Sequence, residues 1–210
     1  MKKLLVVLGV IVGVIVLLVL IAGGSYNKLV RLQTATDGSW AQVQNVYQRR
    51  ADLIPNLVAT VSGAANFEKS TLTEITAARA SVGQIKIDAN KAPTDAAALA
   101  QFDKAQSGLS SALSRLLVVV EKYPDLKATS NFRDLQAQLE GTENRISVER
   151  GRFNETVQAY NAAIRSFPAV LYAGVFGFKE RPYFTATAGS EAPPKVNFDF
   201  NSQPATAPAK

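Results

Sequence analysis

Twenty-one consecutive residues, Leu4 to Gly24 (LLVVLGVIVGVIVLLVLIAGG), carry no charge and no strong hydrogen-bonding side chain. At 1.5 Å rise per residue a helix of that length extends about 31 Å, matching the ~30 Å hydrocarbon core of a bilayer. Lipid offers no partners to backbone N–H and C=O groups, and a helix satisfies them internally. A cleaved secretory signal competes with this reading: Lys2 and Lys3 make a positive n-region, and Ala22-Gly23-Gly24 supplies small residues before Ser25. The apolar segment of such a signal runs about 7–15 residues. The longer stretch here is read as a retained anchor, residues 1–25, with the lipid bilayer as its partner. Gly9 and Gly13 form a G-x-x-x-G spacing that leaves homo-oligomerisation open, although glycine is common in membrane helices generally.

The rest of the chain is polar enough to be a water-soluble body, and its roughly 185 residues suit one domain. Without Lys2 and Lys3 the body carries 21 basic and 17 acidic residues, a net +4 scattered along the sequence. That balance suits anionic headgroups and argues against a nucleic-acid partner. Histidine and cysteine are both absent. Their absence removes the commonest general base, the triad arrangement, most transition-metal ligation and disulfides. No catalytic residue, cofactor or metal site is assigned.

From Tyr26 to about Val82, the residues Trp40, Val43, Tyr47, Ile54, Leu57, Val61, Ala64, Ile75 and Val82 recur at helical steps and predict an amphipathic stripe. Pro55 predicts a kink there, or two abutting helices, and Gly63 is a second weak point. Asp88 to Pro93 reads as a loop. A second long helix opens at Thr94, read as its N-cap, buries Leu99, Phe102, Leu109, Leu113, Leu116, Leu117 and Val120, and stops at Pro124. Ser130-Asn131 is read as the N-cap of a third. There Phe132, Leu139, Ile146, Phe153, Tyr160 and Phe167 fall every seven residues, with Leu135, Val157 and Ile164 on the second seam. A sustained seven-residue repeat predicts coiled-coil-like packing against neighbouring helices. The fold class is therefore all-α: an N-terminal transmembrane helix followed by an antiparallel up-and-down bundle of long helices, with an extended C-terminal tail.

Charges interrupt both stripes: Arg50 in the first, Glu143 and Arg150 in the last. A charge facing a core must be paired, so Arg50 is expected near Glu143 as a register-fixing ion pair, and the polar residues of the two surrounding segments are expected to meet inside the bundle. Asn154-Glu155-Thr156 matches a glycosylation acceptor pattern but lies in mid-helix. Beyond Pro168, Ala169 to Gly177 is read as one short apolar helix. Phe178, Lys179, Arg181, Tyr183 and Phe184 form an aromatic–basic stretch that suits either a strap packed on the bundle or a contact with a partner or the membrane interface. Ala192 to Phe200 reads as a second strap, and Asn201 to Lys210 as disordered.

Several longer segments together resemble the LemA family. They are Tyr26-Asn27-x-Leu29-Val30, Gln48 to Val58 (QRRADLIPNLV), Glu121-x-Tyr123-Pro124-Asp125-Leu126-Lys127, Leu139 to Ile146 (LEGTENRI), Tyr160-Asn161-x-x-Ile164-Arg165-x-Phe167-Pro168, Phe176 to Lys179, and Pro194-Lys195-Val196-x-Phe198. The resemblance implies one N-terminal helix in the bacterial cytoplasmic (inner) membrane and a LemA-like helical bundle over residues 26–175. An extended strap and tail follow over 176–210. It singles out Arg49, Arg50, Asp52, Asn56, Glu140, Glu143, Asn144 and Arg145 as motif residues with structural or partner-contacting roles, and it implies no enzymatic activity. Charge on either side of the span leans towards an extracytoplasmic body, whereas the family is described with a short extracytoplasmic N-terminus. The leading expectation is a membrane-tethered scaffold or adaptor for an unidentified protein partner. A lipid-surface or envelope-stress module, or an enzyme built on the Arg/Glu motifs, are the alternatives.

Overall fold

The computed structural model describes residues 2–64 and 67–185. Five helices follow in order: α1 (Lys2–Ser62), α2 (Lys69–Gln84), α3 (Ala96–Val120), the single turn α4 (Pro124–Ala128) and α5 (Ser130–Arg165), then a 3₁₀ turn at Ala169–Leu171. Among the described residues there is no strand. The segments Ala192–Phe200 and Asn201–Lys210 lie outside the described residues.

α1 is unbroken over 61 residues and about 90 Å long, so the apolar span and the first helix of the body are one rod. It is the one helix among the described residues long and apolar enough to cross a membrane. Of the two outcomes expected at Pro55, a pair of abutting helices does not occur, since the helix runs on through the proline. Proline lacks the N–H that would bond the carbonyl four residues back, which is that of Ala51. That carbonyl instead accepts a 3.1 Å hydrogen bond from Nε of Arg79 on α2, while Leu53, Ile54 and Leu57 are buried on either side. The helix ends about two turns later, before Gly63.

Two caps sit one residue from their expected places. Asp95, not Thr94, caps α3 by accepting from the Ala97 N–H at 2.8 Å. Thr129, not Ser130 or Asn131, caps α5 through the Phe132 N–H. The seven-residue seam of α5 is buried from Phe132 through Tyr160, but Phe167 is 78% exposed. Pro168 disfavours helical geometry in the residue before it, and α5 stops at Arg165. Nor do Ala169 to Gly177 form one helix. After the 3₁₀ turn they run as successive turns to Gly177, whose φ of 78° suits a residue without a Cβ.

The long helices alternate up and down. α5 runs antiparallel to α1, shown by Thr36 bonding the Thr156 carbonyl near one end and Arg50 meeting Glu143 further along. The core divides into three levels. Leu29, Tyr160, Ile164, Ala169 and Phe178 pack nearest the span. Trp40 fills the middle, its ring 5.4–6.1 Å from those of Phe102, Phe153 and Phe184, and its Nε1 donates to the Asp88 carbonyl. Ile54, Leu57, Ile75, Leu116 and Phe132 form the distal level.

Candidate functional site

Arg50 enters the bundle from α1 at the boundary of the middle and distal levels and is 1% exposed. An ionised guanidinium in such a place needs an acceptor for nearly every donor. Nη1 donates to Ser110 Oγ (2.7 Å) and Glu143 Oε2 (2.8 Å), while Nη2 donates to the side-chain oxygen of Gln106 (2.5 Å) and to its backbone carbonyl (3.2 Å). The cation also lies 5.2 Å from the Tyr47 ring centroid. Helices α1, α3 and α5 are thus joined at one cation. Glu143 is 52% exposed on its side chain, so the pair is one-sided: a dry cation and a wet carboxylate. Burial pushes the Tyr47 hydroxyl pKa up, while neighbouring Arg150 and Arg50 partly counter it.

The other motif residues do not converge with this pair, in contrast to the expectation that both segments meet inside the bundle. Arg49, Asp52, Asn56, Glu140, Asn144 and Arg145 are exposed. Asp52 accepts from Gln48 and Glu140 from Gln136 along their own helices. The reason is helical periodicity: Arg50, Leu53, Ile54 and Leu57 share the buried face of the first motif, and the polar residues between them point away from it. A small cleft of about 170 Å³ opens beside the pair, lined by Leu57, Leu113, Leu117 and Leu139 as well as Arg50 and Glu143.

Arg150, the third seam charge, meets Asp103 of α3 at 2.9 Å and lies 4.4 Å from the Phe184 ring centroid. The aromatic–basic stretch divides by orientation. Phe178, Arg181 and Phe184 turn into the bundle, and Lys179 and Tyr183 face outward. Two asparagines of α5 hold its backbone. Asn161 accepts from the Arg181 N–H and donates to the Arg181 carbonyl; Asn154 does the same for Phe184, all at 2.8–2.9 Å. Seven residues of helix advance about 10.5 Å and three of extended chain about 10 Å, so the two clamps share one register. The Arg181 side chain reaches the Ala92 carbonyl and the Asp37 carboxylate (3.5 Å), and Asp37 in turn accepts from the Ala92 N–H. Burial raises the pKa of the neighbouring Tyr160, against the pull of Arg181.

Asn154, Asn161, Asp37, Gln106 and Ser110 were not singled out as structural by sequence reasoning. The available signal was asparagine immediately after the seam aromatics Phe153 and Tyr160, a residue poor in helix interiors unless its side chain has a task. A larger cleft lies elsewhere again. About 660 Å³ opens at the tip of the bundle remote from residues 4–24, between the end of α1 and the α3–α4 turn, lined by Thr60, Lys122, Tyr123, Asp125, Thr129 and Asn131. Among the described residues no group of acidic side chains is placed to hold a metal ion.

Comparison with known proteins returns the LemA family, whose pattern matches residues 39–198. The chain is 26% identical to magnetosome protein MamQ 2 of Paramagnetospirillum magneticum and to magnetosome protein MamQ of Magnetospirillum gryphiswaldense, covering 80% of this chain and 67% of theirs. It is also 26% identical to protein LemA of Metamycoplasma hominis, over 71% of this chain and 60% of that protein.

Proposed function

Since this chain belongs to the LemA family, we propose that it is a membrane-tethered helical scaffold or adaptor that presents its distal tip to a protein partner at the bacterial cell envelope. The observation that carries this reading is the continuity of α1. One helix serves as both span and spine, so the tip stands roughly 54 Å along the rod from Tyr26, held at a fixed distance from the bilayer. The tip combines a cleft of about 660 Å³ with Lys122, Asp125, Thr129 and Asn131, polar groups suited to the rim of a protein interface. An enzyme built on the Arg/Glu motifs is the weaker reading. Arg50 spends both of its terminal nitrogens inside the bundle, its cleft is small, and the neighbouring Ser110 hydroxyl and Glu143 carboxylate are both taken up as its acceptors.

The test is site-specific photo-crosslinking in cells, with the probe placed at Asn131 or Lys122 and, for comparison, at the exposed Val148 on the flank of α5. A single discrete adduct from the tip positions, absent from Val148 and yielding the same protein in repeat experiments, is the expected result. Adducts from Val148 alone would move the partner face away from the tip.

A further inference from the structure

We propose that residues 167–177 form a second membrane contact, a hook that lies in the interfacial layer beside α1 and fixes the tilt of the body on the bilayer. The proposal rests on the reading of residues 4–24 as a membrane span. Because α5 is antiparallel to α1, its C-terminal end returns to the level at which the span ends. The chain there is tied to α1 itself. The ring of Tyr26 packs edge-to-face on Phe176 and on Phe178, each at 5.5 Å, and the Tyr172 hydroxyl donates to the Ala22 carbonyl at 3.5 Å. The hook therefore sits at the height of Ala22 to Tyr26, where apolar sequence gives way to polar.

At that height its side chains are the wrong kind for water. Phe167, Val170, Leu171, Val175 and Phe176 are all exposed, Leu171 by 72% and Val175 by 86%. Phe176 faces Val19 and Ala22 of the span across an apolar groove of about 480 Å³, lined also by Gly23, Tyr26, Asn27 and Tyr172, and Leu17, Val19, Leu20 and Ile21 are exposed beside it. An apolar patch of this kind on a soluble surface marks a partner, and its place beside the span identifies the partner as lipid. The rim agrees. Tyr26 and Tyr172 have the amphipathic shape enriched at membrane interfaces, and Lys28, Arg31 and Lys179 are exposed just above, within reach of phosphate headgroups. One helix alone leaves its tilt to packing and to such anchors. A second contact, rigidly bonded to the first, removes that freedom.

The natural chain has no cysteine, so single nitroxide labels can be read without background. Leu171→Cys and Val175→Cys would be labelled in the full chain, reconstituted in phosphatidylcholine/phosphatidylglycerol vesicles, and compared with Leu17→Cys in the span and Val118→Cys, exposed on distal α3. Collision with oxygen, which concentrates in lipid, is measured against collision with a water-soluble nickel chelate. The expected result is an oxygen-to-nickel ratio at positions 171 and 175 several-fold above that at 118 and approaching that at 17. A ratio at 171 and 175 equal to that at 118, with 17 still lipid-like, overturns the hook and leaves the anchor standing. A water-like ratio at 17 removes the anchor and the hook with it. Shielding of 171 and 175 from both reagents would mean that protein covers the patch, and would overturn the assignment to lipid.

Discussion

Replacing the two members of the Arg50–Glu143 pair should have unequal effects, because only one of them is buried. Arg50→Leu removes four hydrogen bonds and leaves the side-chain oxygen of Gln106, itself buried, without its donor. A stranded buried polar group costs about 1–3 kcal/mol, and the lost bonds to a charged donor add to that, so a total near 3–4 kcal/mol is expected. Glu143→Leu leaves the cation with Ser110 and Gln106 and removes a carboxylate that water already half solvates. The expected loss is about 1.5–3 kcal/mol, chiefly the hydrogen bond from Arg50, since the exposed Ser110 hydroxyl that also donates to Glu143 at 3.3 Å can turn to water. In the double variant the coupling should reach at least 1 kcal/mol, since neither residue then leaves the other unpaired. The assay is urea unfolding of the detergent-solubilised protein followed by the fluorescence of Trp40, the sole tryptophan, which is fully buried in the middle core level. Losses that add within ~0.5 kcal/mol, or a glutamate variant costlier than the arginine one, would refute the one-sided pair.

Arg79→Ala should cost about 0.5–1.5 kcal/mol by removing the exposed hydrogen bond that the Ala51 carbonyl accepts, and should cost less in a Pro55→Ala background, where residue 55 can supply the missing donor; equal costs in both backgrounds would contradict the compensation. Asn161→Ala or Asn154→Ala should raise amide exchange at Arg181 and Phe184 while α1 keeps its protection, measured by hydrogen–deuterium exchange. Glu180 titrates below its ordinary value of 4.5 because exposed Arg165 hydrogen-bonds it, at 2.5 and 2.7 Å. A depressed carboxyl contributes stability above its unfolded pKa and loses it as pH falls through the folded value, so this tie between strap and α5 weakens below about pH 4.5. NMR titration of the Glu180 carboxyl should find its pKa restored to the ordinary value by Arg165→Ala.

The long helices were legible because burial repeats faithfully along them: Phe132, Leu139, Ile146, Phe153 and Tyr160 all reach the core. What failed were inferences from single residues. Pro55 looked like a break because a sequence shows the hydrogen bond proline removes but not the arginine, 24 positions later, that replaces it. Thr94 and Ser130 lost their caps to immediate neighbours of equal chemistry, a choice set by where packing starts each helix. Phe167 fitted the seven-residue repeat, yet Pro168 had already ended the helix, and the phenylalanine belongs with the exposed apolar residues of the hook instead. The opposite charge expected for Arg50 was nameable from seam positions. Its neutral partners Gln106 and Ser110 were not, since nothing in local pattern distinguishes an amide facing a core cation from one facing water.

The arrangement of the arginines explains why the bundle adopts one alignment. Helices with a seven-residue apolar repeat can slide by one repeat, about 10.5 Å, and present nearly the same apolar surface to each other. Hydrophobic burial therefore discriminates poorly between registers. Three guanidiniums at different heights do discriminate: Arg50 ties α1 to α3 and α5, Arg150 ties α5 to α3, and Arg181 ties the strap to Asp37 of α1. A slip of one repeat on α5 would bring residue 136 or 150 to the height of Glu143, setting Arg50 against a glutamine or a second arginine. The same slip would carry Arg150 away from Asp103 and both asparagine clamps away from the strap. Stranding a buried charge costs about 3–5 kcal/mol, comparable with much of a domain's net stability of about 5–15 kcal/mol. The apolar seam thus supplies the driving force for association, and the three paired cations select the register in which the helices pack.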